Sequence, residues 1–224
     1  MAFRNPYLLF NIPVENTPAA EAIRLAKKRA MAEFELQNSA SVLFNGDELG
    51  KSQVLEIFDR LKEDNQAELY RIILENELLN VFLTKEGSKV AIPEDFGPLA
   101  DDAYRDFIGE WLIPSMQTAV QELIQKESAK DLNFLVEAAA HFPRSVEREI
   151  LFPVIKHIDQ LISGINYEFK HIKKVTDQHK KIFEITTPYQ LKLLNSLPAN
   201  FAYLRTQFSE AICALVDHLE TTKT

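Results

Sequence analysis

LFPVIKHIDQLISGINYEFKHIKKVTDQHKKIF, residues 151–183, decides the fold. Within it Leu151, Ile155, Ile158, Ile162, Ile165, Phe169, Ile172, Thr176, His179 and Phe183 follow one another at alternating steps of four and three residues. That spacing is the seam of one long amphipathic helix. At about 1.5 Å per residue it would span roughly 50 Å, longer than a small domain needs. It is therefore expected to be the central spine of an all-α protein. No residue on it forms a catalytic signature.

Around the spine the chain reads as more helix. Asp101-Asp102 open a stripe of Tyr104, Phe107, Ile108, Trp111 and Leu112, which Pro114 is expected to kink or interrupt. Met116, Ala119, Val120, Leu123 and Ile124 continue it, and a short helix through Leu132, Leu135 and Ala139 follows. Ser145 with Glu147 is expected to lead into the spine. Beyond it, Thr186-Thr187-Pro188 stops the spine, and a last helix carries Phe201, Leu204, Phe208, Ile212, Leu215 and Leu219. No strand alternation intervenes, so residues 100–224 are expected to form an antiparallel helical bundle.

Residues 84–99, TKEGSKVAIPEDFGPL, gather two glycines, two prolines and several charges, so 86–99 reads as a linker. The N-terminal module, residues 1–85, opens with a short apolar element, Tyr7 to Phe10. Thr17 and Pro18 are expected to cap a helix striped by Ile23, Ala26, Ala30 and Phe34. A loop containing the turn signal Asn45-Gly46 follows it. Ser52 is expected to cap the next helix, and a last one runs through Leu69, Ile73 and Phe82.

Composition narrows the function. The 224 residues are 46% hydrophobic and 26% charged, as in globular proteins, with a net charge of −8. That balance disfavours general nucleic-acid binding. The single cysteine, Cys213, reads as a small buried hydrophobe, excludes an intramolecular disulfide and suits a reducing compartment. No apolar run of signal-peptide or membrane-spanning length occurs, so a cytoplasmic protein without membrane contact is expected.

Asn5-Pro6-Tyr7, the apolar segment ending near Ile12, the Thr17-capped basic helix, the loop and IFDRLKEDNQAELY (57–70) together resemble a divergent J-domain-like module. In that family a short helix precedes a basic helix, a loop and a third helix. The chaperone-activating residues are a His-Pro-Asp triplet in the loop. Residues 38–52 hold neither His nor Pro. The resemblance therefore implies a docking scaffold without chaperone stimulation.

Chemistry-bearing patterns are sparse. The paired Glu-x-x-His motifs of di-iron bundles are absent, and with 6 glycines no phosphate-cradling loop can be assembled. No metal or cofactor is expected. Two basic runs remain as candidate partner-binding residues. Arg24, Lys27 and Lys28 (with Arg29) lie on the N-terminal module's basic helix. Lys170, Lys173, Lys174 and Lys181 (with Lys180) lie on the outer face of the spine. Each run reads first as a solvated helix face and second as a dock for an acidic protein surface. Phe169 and Phe183 belong to the seam, so aromatic stacking on bases is missing from the lysine face.

The expected function is a non-enzymatic protein–protein adaptor or scaffold. Two other classes stay open: a bundle enzyme using His141, Glu149, His157 and His179, and a nucleic-acid-binding regulator using the lysine face. The length of the seam adds homo-oligomerisation as an expectation.

Overall fold

Helix starts and stops are set by local hydrogen bonding along most of the chain. The computed structural model describes residues 3–14, 19–63, 65–171, 180, 183–184 and 186–221. Among them are eleven α-helices, a 3₁₀ turn and one two-stranded hairpin. The protein is all-α and helical-bundle in class. No described helix is long and apolar enough to cross a membrane. The chain separates into two compact units, Met1–Trp111 and Leu112–Thr224.

In the first unit α1 is Pro6–Leu9, one turn with proline at its first position. The Asn5 carboxamide oxygen accepts from the Tyr7 amide at 3.1 Å and caps it. Helix α2, Ala19–Gln37, buries Ala22, Ile23, Ala26, Ala30 and Phe34. The expected cap, Thr17-Pro18, lies outside the described residues. Strands β1 (Ser41–Phe44) and β2 (Asp47–Gly50) then pair antiparallel, Val42 opposite Leu49.

This hairpin replaces the expected loop. Asn45 (φ 43°) and Gly46 (φ 92°) supply the two positive φ values that a tight two-residue turn of matching twist requires. Val42 and Leu49 are buried.

Helix α3, Lys51–Arg60, starts from Gly50 rather than Ser52, because the Gln53 side chain accepts from the Gly50 amide at 2.9 Å. The single helix expected after Asn65 is two, α4 (Gln66–Glu75) and α5 (Glu77–Thr84). Asn76 breaks the run and caps α5 by accepting from the Leu79 amide at 3.0 Å. Val54, Phe58, Ile73, Leu79 and Phe82 are fully buried between these helices. Each such side chain contributes about 1.5–3 kcal/mol.

Residues 86–99, expected as a linker, fold against the first unit. Phe96 is buried beside Phe82, with ring centroids 6.1 Å apart, and the Asn76 carboxamide donates to the Asp95 carbonyl at 2.9 Å. The buried Tyr104 hydroxyl donates to the Phe96 carbonyl at 2.9 Å. Tyr104 stands on α6, Asp102–Gln125, which runs through Pro114 as one helix.

In the second unit α7 (Ala129–Ala139) and α8 (Arg144–Ile150) precede α9, Phe152–His171. The entry to the spine is thus a separate short helix, ended at Leu151. The seam is buried at Leu151, Ile155, Ile158 and Ile165, as its spacing predicts, while Ile162 is half-buried. Thr176 and His179 lie outside the described residues, and Phe183 is exposed. Helix α10 (Pro188–Ser196) is capped by Thr187, which accepts from the Gln190 amide. After the 3₁₀ turn Ala199–Phe201, α11 (Ala202–Thr221) packs on α9 more extensively than any other pair of helices described. Cys213 on α11 is exposed, not buried as its apolar neighbours suggested.

Gly97 (φ 84°) sits against Tyr104, and a Cβ there would overlap the tyrosine hydroxyl and ring. Gly97→Ala is expected to destabilise the protein by about 2–4 kcal/mol, through strain plus loss of the Tyr104 hydrogen bond. Chemical denaturation that finds a change under about 0.5 kcal/mol would contradict this packing.

Candidate functional site

The outward side of α2 carries the first of the two basic runs. At about 100° per residue, Arg24, Lys28, Ala32, Leu25, Leu36 and Arg29 fall within about 140° of the helix circumference. Arg24, Leu25, Lys28, Arg29 and Leu36 are exposed, Leu36 at 79%. None of the three cations has an ion-pair partner among the described residues. Lys27 differs: half-buried, it reaches α3 and bonds the Asp59 carboxylate at 3.0 Å. Hydrogen bonds from Lys62 and then Lys27 hold the Asp59 carboxyl below the usual carboxylate range. Lys27 thus pins α2 to α3, while its neighbours face away from the core.

The second basic run cannot be assembled as a face. Lys170 lies in the last turn of the α9 backbone, and Lys173, Lys174 and Lys181 lie outside the described residues. Lys180 is exposed. Of the scattered residues considered for catalysis, His141 and Glu149 are exposed, His157 is half-buried and His179 is outside the described residues. No cluster of His, Cys, Asp or Glu able to hold a metal occurs among the described residues.

A hollow not anticipated from the sequence opens on the first unit. One wall is the face of α6 bearing Ala103, Asp106, Phe107, Glu110 and Trp111; the other is the α3–α4 corner with Arg60, Glu63, Gln66 and Tyr70. Its volume is about 440 Å³. Tyr70 and Phe107 meet edge to face, centroids 4.9 Å apart, and Phe3 stacks against Tyr70 and edges onto Trp111 at 5.7 Å. Tyr70 is 94% buried, from a relative exposure of 6%, and its hydroxyl makes no hydrogen bond among the described residues. Burial raises the Tyr70 pKa above its ordinary value, Arg60 opposes the rise and Glu110 adds to it.

Glu63, Asp106 and Glu110 have no ion-pair partner among the described residues, whereas Arg60 is held by Glu56 at 3.1 Å. The sequence showed the carboxylates beside the aromatic residues but not the hollow itself. Asp106 and Glu110 border the aromatic edge of the stripe Tyr104, Phe107, Ile108, Trp111, Leu112, whose width is that of an ordinary core-facing face.

A smaller cleft on the second unit is lined by Arg144, Ser145, Arg148, Asn200, Phe201 and Tyr203. Behind it the buried Glu147 carboxylate accepts from the Asn200 carboxamide at 2.7 Å. On α9, burial lowers the pKa of His157, whose buried Nε2 has no hydrogen-bond partner among the described residues.

No known protein family, curated protein or solved structure matches the chain.

His157 is expected to make the second unit acid-sensitive. Its folded pKa lies below the ordinary value of 6.5, so between the two values the unfolded chain binds more protons. The stability present above that ordinary value is lost as pH falls through it toward the folded pKa. His157→Leu is expected to flatten the fall in melting temperature between about pH 7.5 and about pH 5. An unchanged pH slope in thermal melts of the variant would show that His157 is not the group responsible.

Proposed function

We propose that this chain is a non-enzymatic, cytoplasmic interaction protein that docks an acidic partner surface on the outward face of α2. One observation carries the reading. Arg24, Lys28 and Arg29 have no ion-pair partner among the described residues and are interleaved with exposed Leu25 and Leu36, on a helix whose opposite stripe is buried. A merely solvated face needs only the charges. Two leucines three turns apart in the same sector lose free energy to water until something covers them. Cations around an apolar centre steer an acidic partner and then bury its contact.

The resemblance to a J-domain-like module points the same way, since the basic second helix of such modules faces a partner. The interval between α2 and α3 is the hairpin Ser41–Gly50, without a His-Pro-Asp triplet. Docking without chaperone stimulation is the consistent function. An exposed thiol at Cys213 suits a reducing compartment.

The test is mild affinity purification from the native cells with the wild-type chain and the variant Arg24→Glu/Lys28→Glu/Arg29→Glu. Lys130→Glu/Lys192→Glu, at exposed sites on α7 and α10, serves as control. The wild type and the control should retain one stoichiometric acidic protein. The α2 variant, with an unchanged melting curve, should lose it by about tenfold or more. Equal retention by the α2 variant would overturn the proposal.

A further inference from the structure

The hollow between α6 and the α3–α4 corner has the chemistry of a cation receptor, independent of α2 and opposite to it in charge. Three aromatic rings, those of Tyr70, Phe107 and Trp111, stand among polar groups in its lining. Its rim holds three carboxylates, Glu63, Asp106 and Glu110, none engaged by a cation among the described residues. The one basic group on the lining, Arg60, is committed to Glu56. The Tyr70 side chain lines the same space and also the adjoining crevice toward Arg4 and Gln53, and its hydroxyl makes no hydrogen bond among the described residues. A hydroxyl open to the hollow and not held by the protein is free to accept from a ligand that enters it.

We infer that this hollow binds an arginine side chain presented by a partner polypeptide. Aromatic surface with carboxylates at its edge suits a cation that is flat, weakly hydrated and able to donate along several directions. A guanidinium has that shape: its face lies against a ring while its edges donate to separate oxygens. Asp106 and Glu110 are one helical turn apart on the same side of α6, so their carboxylates can be met by two edges of one fork. The Tyr70 hydroxyl oxygen offers a further acceptor from the opposite wall. An ammonium is a compact, strongly hydrated charge and gains less from the rings. An anionic or purely apolar occupant would leave three carboxylates facing it.

Trp111, the only tryptophan in the chain, lines this hollow, so its fluorescence reports on binding there. The full-length protein is titrated with acetyl-Gly-Arg-Gly-amide. The same peptide bearing citrulline, which keeps the shape and loses the charge, and tetramethylammonium chloride at matched ionic strength are the comparisons. The arginine peptide should give a saturating change and the citrulline peptide should bind at least about tenfold more weakly. Asp106→Asn/Glu110→Gln, at exposed positions, should weaken the arginine peptide by about tenfold. Tyr70→Phe should weaken it by about threefold while keeping the ring packing.

The α2 variant Arg24→Glu/Lys28→Glu/Arg29→Glu should respond as the wild type does, which separates this site from the proposed docking helix. No saturation by about 10 mM peptide, equal binding of the citrulline peptide, or an unchanged affinity in Asp106→Asn/Glu110→Gln would overturn the inference. Tighter binding of tetramethylammonium than of the arginine peptide would overturn it in favour of a small quaternary ammonium ligand.

Discussion

One buried carboxamide, that of Asn5, fixes how the N-terminal unit is put together. Its oxygen caps α1 through the Tyr7 amide, and its nitrogen donates to the Tyr70 carbonyl at 3.0 Å, 65 residues away in sequence. A buried amide left without partners costs about 1–3 kcal/mol, so both bonds must form together. Once they do, Tyr7 and Leu9 are set in the core, Phe10 lies 4.5 Å from Phe58 by ring centroid, and Tyr70 is turned toward Phe3 and Phe107. The aromatic lining of the hollow is a consequence of that same placement.

Unit 1 then presents two surfaces of opposite sign. On α2 the buried alanine stripe lets the helix lie close to α3, and Lys27 spans the remaining distance to Asp59. The other cations of the run are left for the outside. On α6 the aromatic residues turn toward α4, and the carboxylates that follow the helix period are carried to the mouth of the hollow. In the function proposed above, such a unit holds an acidic surface on one side and a basic segment on the other, and charge placement around small apolar centres sets its specificity.

The seam from Leu151 to Ile165 was legible in the sequence because an uninterrupted four–three spacing has no other regular explanation. The basic run on α2 was legible too, but not that Lys27 would be spent on Asp59, since that pairing joins residues 32 apart. The hairpin was half legible. Asn45-Gly46 marked the turn, yet the flanking strands are only four residues each and their alternation is brief. The helix break at Asn76 was hidden because apolar residues continue in period across it, and only the side-chain cap reveals the stop. The hollow depends on which of two apolar edges of α6 is covered, and spacing within one helix cannot decide that. Cys213 misled for the converse reason, standing beside the seam-facing Ala211 and Leu215 but on the outer side of α11.

The claim at the centre of this account is that the outward face of α2 is a contact surface. Hydroxyl-radical footprinting of the native complex, compared with the free chain, addresses it at single side chains. Leu25 and Leu36 are exposed and intrinsically oxidisable, and Leu78 and Tyr203 are exposed elsewhere and serve as references. The account predicts protection of Leu25 and Leu36 in the complex, with Leu78 and Tyr203 unchanged. Oxidation of Leu25 and Leu36 at the free-chain rate, in a complex that remains intact, would contradict it.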